Sequence, residues 1–367
     1  MKVPFLDLKA SYTEIKDDLD KEIDSFLKSG EYIGGSRVEN FENNFAKFVE
    51  ADFCVGLANG LDAIEISLKA LDVGIGDEVI VPSHTFIATW LAVSNCGAVP
   101  VPVESDPKTY SIDFDKIERA ITKKTKAIIP VHLYGQPVDL DPIIDLAKSY
   151  KLFVIEDAAQ AHGAIYKSKK IGSHGHIVAW SFYPGKNLGG FGDGGAITTN
   201  NMNFAQKIRT IANYGSHKKY INDVIGVNSR LDPIQAIVLD IKLNHLDDWN
   251  NRRRSIAQKY LNELQGLSLI LPDQFDLLNG AWHLFPVRIN KRDNLVKALK
   301  NKEIDTIIHY PIPPHKQKAY SSDYKTFDLR IAEEMSTQLL SLPIGPHLTI
   351  EQVDFVIKTI KDFLVRV

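Results

Sequence analysis

One lysine and one aspartate carry the most reactive possibilities in this chain. Lys186 lies in V-A-W-S-F-Y-P-G-K-N-L-G-G-F-G-D-G-G-A-I-T, residues 178–198, where an apolar run ends at Ser181 and the lysine follows in a glycine-crowded loop. Glycines permit positive φ and close approach of backbone to a ligand. An amine held in a cramped, partly dry pocket loses its proton and becomes a nucleophile. The same spacing also suits a surface turn with a solvated lysine. Asp157 follows L-F-V-I-E, so its carboxylate emerges at the end of a buried strand. There it either caps a following helix or faces a cation, which a buried acid needs to stay ionised.

Positioning these groups requires a recurring strand, tight turn and helix, the pattern of an α/β fold with a mainly parallel sheet. A short apolar strand, A-D-F-C-V-G-L-A, stops at Asn59-Gly60, and further strands are predicted over 78–82, 127–133, 152–155, 178–182 and 195–199. Helical spacing is read over 38–49, 61–71, 231–246 and 249–264. In open α/β sheets ligands gather beyond the carboxyl ends of the strands. Asn59-Gly60, Ser83 to Phe86, His132 to Gly135, Asp157 to Gln160 and Ser181 would converge on that rim, with the Lys186 loop beside them. A lysine joined to an aldehyde and an acid on a pyridinium nitrogen are the partners of pyridoxal phosphate, and Lys186 and Asp157 fit those roles.

Three regions are expected: an amphipathic N-terminal arm (1–30), a large domain (31–246) and a smaller α+β domain (247–367) with strands at 268–271, 283–289 and 306–309 and helices at 293–301 and 350–364. Residues 213–230 read as a long loop, a functional or mobile type. With 367 residues, 44% hydrophobic and 24% charged, the chain suits a globular protein with a large core. A net charge of −3 leaves no footprint for nucleic acid, and Arg252-Arg253-Arg254 reads as a solvated helix face. No signal peptide or membrane span is evident, which points to the cytoplasm. Cys54 and Cys96 form no zinc set and read as buried thiols.

Six separated stretches resemble the DegT/DnrJ/EryC1/StrS family of sugar aminotransferases: G-L-A-N-G-L-D-A, P-S-H-T-F-I-A-T, V-I-E-D-A-A-Q-A-H-G, S-F-Y-P-G-K-N-L-G-G-F-G-D-G-G-A, G-V-N-S-R-L-D-P-I-Q-A and H-Y-P-I-P-P-H. The resemblance implies the aspartate-aminotransferase-like fold, fold type I, with pyridoxal 5'-phosphate as cofactor. Lys186 matches the lysine that carries the cofactor and shuttles a proton. Asp157 matches the acid on the ring nitrogen, and Gln160 the amide near the phenolic oxygen. Phe86 matches an aromatic over the ring face. Gly60, Leu61 and Ser181 match the phosphate cradle, although relatives often carry a hydroxyl where Leu61 stands. Asn228 matches an asparagine that reaches the neighbouring subunit's phosphate, implying a homodimer with shared sites. Tyr183, Tyr214, Lys219, Tyr220, Arg230 and His315 are candidates for the substrate cleft. His162 is either catalytic or structural support.

The resemblance implies a transaminase moving an amino group, expected to come from L-glutamate, to the C3 keto group of a dTDP-3-keto-6-deoxyhexose. The favoured product is dTDP-3-amino-3,6-dideoxygalactose, for surface polysaccharide or other glycoconjugates. The glucose-configured sugar, a C4 aminotransferase and a sugar dehydratase are alternatives, though the dehydratases replace the lysine with histidine. A nicotinamide dehydrogenase is disfavoured, because the run G-G-F-G-D-G-G precedes a strand rather than opening a helix. No appended DNA-binding element supports a regulatory sensor.

Overall fold

The computed structural model describes residues 1–272, 279–324 and 327–365. Its centre is a seven-stranded sheet built from β1 (Phe53–Leu57), β2 (Glu78–Pro82), β3 (Val99–Val103), β4 (Thr125–Ile128), β5 (Phe153–Asp157), β6 (Ile177–Ser181) and β7 (Gly195–Thr199). The order is β1-β7-β6-β5-β4-β2-β3. β2 to β6 run parallel, while β7 runs antiparallel to both β1 and β6. This is the mainly parallel α/β sheet expected from the alternating pattern.

Successive residues of each strand enter opposite layers, as the two-residue period of a strand demands. Val178 and Trp180 join the core that contains Phe41, Phe45 and Leu239. Ile177 and Ala179 join the core that contains Ile64, Leu68 and Trp90. Both faces are therefore apolar, which explains strands written as near-continuous hydrophobic runs.

β3 was not anticipated. Its sequence V-P-V-P-V argues against a central strand, because proline donates nothing to a ladder. Among the described residues β3 pairs only with β2, so Pro100 and Pro102 sit on an edge, where missing donors discourage further pairing.

A third core joins Ala257, Tyr260 and Leu261 of the helix Leu246–Leu264 to a two-stranded sheet, β8 (Phe285–Arg288) with β9 (Leu339–Leu342), and to the helix Ile350–Val365. Two strands expected here contribute only isolated bridges, Ile270 with Arg288 and Ile307 with Ser341. Val3 belongs to this core, exchanging backbone hydrogen bonds with Glu303 and Asp305 at 2.9 and 3.0 Å. The arm continues as the helix Leu8–Ser29, whose Leu19 and Phe26 pack on Ile237 and Val238 of the helix Pro233–Leu243.

Candidate active site

A cleft of about 900 Å³ opens at the carboxyl ends of the parallel strands. The structure brings eight of the singled-out residues to its walls: Gly60, Leu61, Phe86, Asp157, Gln160, Ser181, Tyr183 and Lys186. Each follows or ends a strand, so one sheet edge gathers residues up to 126 positions apart.

One end of the cleft suits an anion. Asn59 caps the helix Gly60–Ala70, its Oδ1 accepting the N–H of Asp62 at 2.9 Å. The N–H groups of Gly60 and Leu61 have no acceptor among the described residues, and such a helix start attracts phosphate. Gly60 is required by a close approach: a Cβ there would lie 2.6 Å from Ser181 Cβ. Leu61 supplies backbone only, in keeping with its lack of a hydroxyl.

At the floor, Asp157 is buried, and burial pushes its pKa up. Four features oppose that shift: a hydrogen bond from the Thr89 hydroxyl to Oδ2 at 2.8 Å, one from the Ala159 N–H to Oδ1 at 3.2 Å, and the electrostatic influence of Lys186 and His132. Because Thr89 donates to the carboxylate, the 3.0 Å contact between the Thr85 and Thr89 hydroxyls has Thr85 as donor. No helix follows Asp157, so the capping alternative does not apply. Gln160 accepts the N–H of Tyr134 at 2.6 Å and donates to the hydroxyl of Tyr310 at 3.0 Å. The Tyr310 ring lies 5.6 Å from that of Phe86, which is 53% exposed over the cleft rather than packed in a core.

The backbone N–H of Lys186 closes a turn onto the Tyr183 carbonyl at 2.8 Å. Burial of its amine lowers the pKa to about 8, against the pull of Asp157 in the other direction. The glycines from 185 to 195 take no positive φ; close packing, rather than the left-handed backbone expected as one use of glycine, is the reason for them. A Cβ at Gly195 would lie 2.3 Å from the Asn59 carbonyl oxygen. The helix Pro233–Leu243 steadies the loop, with Gln235 accepting the Phe191 N–H at 2.7 Å and Lys242 donating to the Gly189 carbonyl at 2.6 Å. Asn187 donates to Ala281 and Asn250 while its Oδ1 faces His283 Nδ1 at 3.1 Å, so His283 carries its proton on Nδ1. Burial and nearby cations keep His283 neutral.

The other candidates lie away from this cleft. Asn228, Tyr214, Lys219 and Tyr220 sit on the exposed loop 213–230, where the Lys219 amine lies 5.1 Å from the Tyr220 ring. Arg230 stacks 5.6 Å from the Tyr214 ring and lines a second cavity of about 610 Å³ with Glu42, Arg209 and His217. His315 is buried against Glu333, with 3.2 Å between Nε2 and Oε1, rather than exposed or facing the cleft. His162 is wedged between the rings of Trp180 and Phe182, and burial lowers its pKa to about 3. Thr89, Tyr310, Asn187, His283 and Arg253 were missed. Thr89, Tyr310 and Asn187 stand inside quoted motifs, where their types alone assign no role.

The model of the DegT/DnrJ/EryC1/StrS aminotransferase family matches residues 13–361. The dTDP-3-amino-3,6-dideoxy-α-D-galactopyranose transaminase of Aneurinibacillus thermoaerophilus is 50% identical over 361 residues, covering 98% of this chain and 99% of its own. The dTDP-3-amino-3,4,6-trideoxy-α-D-glucose transaminase of Streptomyces venezuelae is 48% identical over 368 residues, covering 100% and 97%. The crystal structure of S. venezuelae DesV in complex with a ketimine intermediate superposes with a TM-score of 0.98 at 48% identity, covering 100% of this chain and 99% of that one.

Proposed function

The chain belongs to the DegT/DnrJ/EryC1/StrS aminotransferase family and is a pyridoxal-phosphate-dependent nucleotide-sugar aminotransferase; from that premise we propose that it aminates C3 of a dTDP-3-keto-6-deoxyhexose at the expense of L-glutamate, as a cytoplasmic homodimer. The observation that carries the reading is one cleft holding a lysine of lowered pKa, a buried acid and a bare helix start. When bound, the cofactor supplies an electron sink through which an amino group passes from one substrate to the next.

The chain's own groups divide the labour. The N–H groups of Gly60 and Leu61 and the Ser181 hydroxyl hold the phosphate. Asp157 would keep a proton on the ring nitrogen, and Gln160, with one N–H on Tyr310, would have its second for the phenolic oxygen. Phe86 covers the ring. Lys186 carries the cofactor at rest and afterwards moves the proton at the amino-bearing carbon, work suited to an amine whose pKa lies near neutrality. Tyr183 lines the acceptor side. Asn228, Tyr214, Lys219, Tyr220 and Arg230 reach the partner's cleft, a reading supported by the exposed apolar surface of their loop, where Tyr220 is 88% and Ile225 99% exposed. His315, held against Glu333 and set apart from the cleft, is given no part in substrate binding.

The favoured product is dTDP-3-amino-3,6-dideoxygalactose. A second reading, a 3-amino-3,4,6-trideoxyglucose product, is supported by the nearly equal identity to the S. venezuelae transaminase. The deciding experiment incubates the holoenzyme and L-glutamate with dTDP- and UDP-linked keto sugars, followed by mass and NMR analysis of products. A C3 amine on a dTDP sugar is expected; amination only at C4, or only of UDP sugars, overturns the proposal.

A further inference from the structure

Two cationic side chains line the cleft, and only one has an acid beside it. Lys186 feels Asp157. Arg253, on the helix Leu246–Leu264, is 5% exposed and forms no ion pair among the described residues. Its flanking residues behave differently: Arg252 pairs with Glu14 and Asp248, and Arg254 reaches the Gly280 carbonyl and Asn251. The arginine run is therefore not a uniform solvated face.

Arg253 uses Nη1 on backbone alone, donating to the carbonyls of Ile344 at 3.0 Å and of Trp282 and His283 at 3.4 Å. Nε and Nη2 have no acceptor among the described residues, on a side chain that lines the cleft with His283 and Lys186. A buried charge is normally paired. A guanidinium held rigid on one nitrogen, with two donors remaining, presents the fork that matches the two oxygens of a carboxylate.

We propose that Arg253 binds a carboxylate of the amino-acid donor, so that this wall of the cleft is the donor subsite. The inference rests on the transaminase reading and names the residue that separates donor from sugar. Because the two substrates react in turn, each half-reaction can be followed alone by the cofactor's absorbance. In holoenzyme carrying Arg253→Gln, the apparent Kd for L-glutamate should rise about 100-fold, the cost of a lost charge-assisted pair. Arg253→Lys should fall between, and the half-reaction with dTDP-amino sugar should stay within about threefold of wild type. With wild-type enzyme, glutarate should block the L-glutamate half-reaction and its neutral diamide should not, a result independent of how well the variants fold. Equal losses in both half-reactions, a loss confined to the sugar, or equal inhibition by the diamide would overturn the assignment. Wild-type enzyme inert toward both substrates would instead sink the transaminase reading, and this one with it.

Discussion

The hydroxyl of Thr89 donates a 2.8 Å hydrogen bond to Oδ2 of Asp157 across 68 positions of sequence. It favours the charged carboxylate while burial favours the neutral one. Thr89→Val removes the donor with little change of shape, so the pKa of Asp157 should climb further. A larger fraction of the acid is then protonated at any given pH, and activity should fail on the acid side at higher pH than in wild type. We expect kcat/KM to drop about tenfold near neutrality, with Thr89→Ser largely spared. Overlapping pH–rate profiles would show the bond to be irrelevant.

Lys186→Ala should lower turnover by about 10⁴-fold or more while leaving the fold intact. Borohydride treatment of wild type followed by peptide mapping should place the cofactor's label on Lys186. Label on another lysine, or turnover retained in the variant, would remove Lys186 from the reaction.

The lowered pKa of Lys186, about 8, sets a pH dependence for loading apoprotein with pyridoxal phosphate. The charged amine cannot attack, so loading should be slow below pH 7, rise through about pH 8 and flatten above 9. A rate still climbing at pH 10 would mean an amine with an ordinary pKa.

Gly60→Ala places a Cβ 2.6 Å from that of Ser181. The expected cost is about 1–3 kcal/mol, read as weaker cofactor binding in a titration of the apoprotein. Ser181→Gly in the same chain should recover much of the packing loss, giving a coupled pair rather than two additive effects. Additive losses would mean that the two residues do not share the cradle.

A mixing experiment tests whether the sites are shared between subunits. If Asn228 completes the partner's cleft, a mixed dimer of Lys186→Ala and Asn228→Ala chains regains one intact site. Refolding the two inactive variants together in equal amounts should restore about a quarter of wild-type activity, because half the dimers are mixed and each has one good site of two. No recovery would place Asn228 in its own chain's site or in none.

Much of the architecture was legible because the strands are buried on both faces and stop abruptly at polar or glycine residues. That pattern located β2, β7 and the rim residues Gly60, Asp157, Ser181 and Lys186. β3 was hidden by its alternating prolines, and β9 by its position directly after the helix Arg330–Gln338, with no turn residue between them. Thr89 and Arg253 were illegible for another reason. A threonine within a helix and an arginine in a basic run acquire meaning only from what lies across the sheet or the cleft, and the hydrogen bonds that define them span 29 to 91 positions.

Val3 pairs with Ile304 in a parallel bridge, and Phe5, Leu6, Asp305 and Thr306 next to them form part of the cleft wall. A ribosome releases residue 304 long after residue 3. The nascent chain must therefore carry its opening segment unmatched through most of its synthesis, and the vitamin can find a closed berth only once the two ends have met.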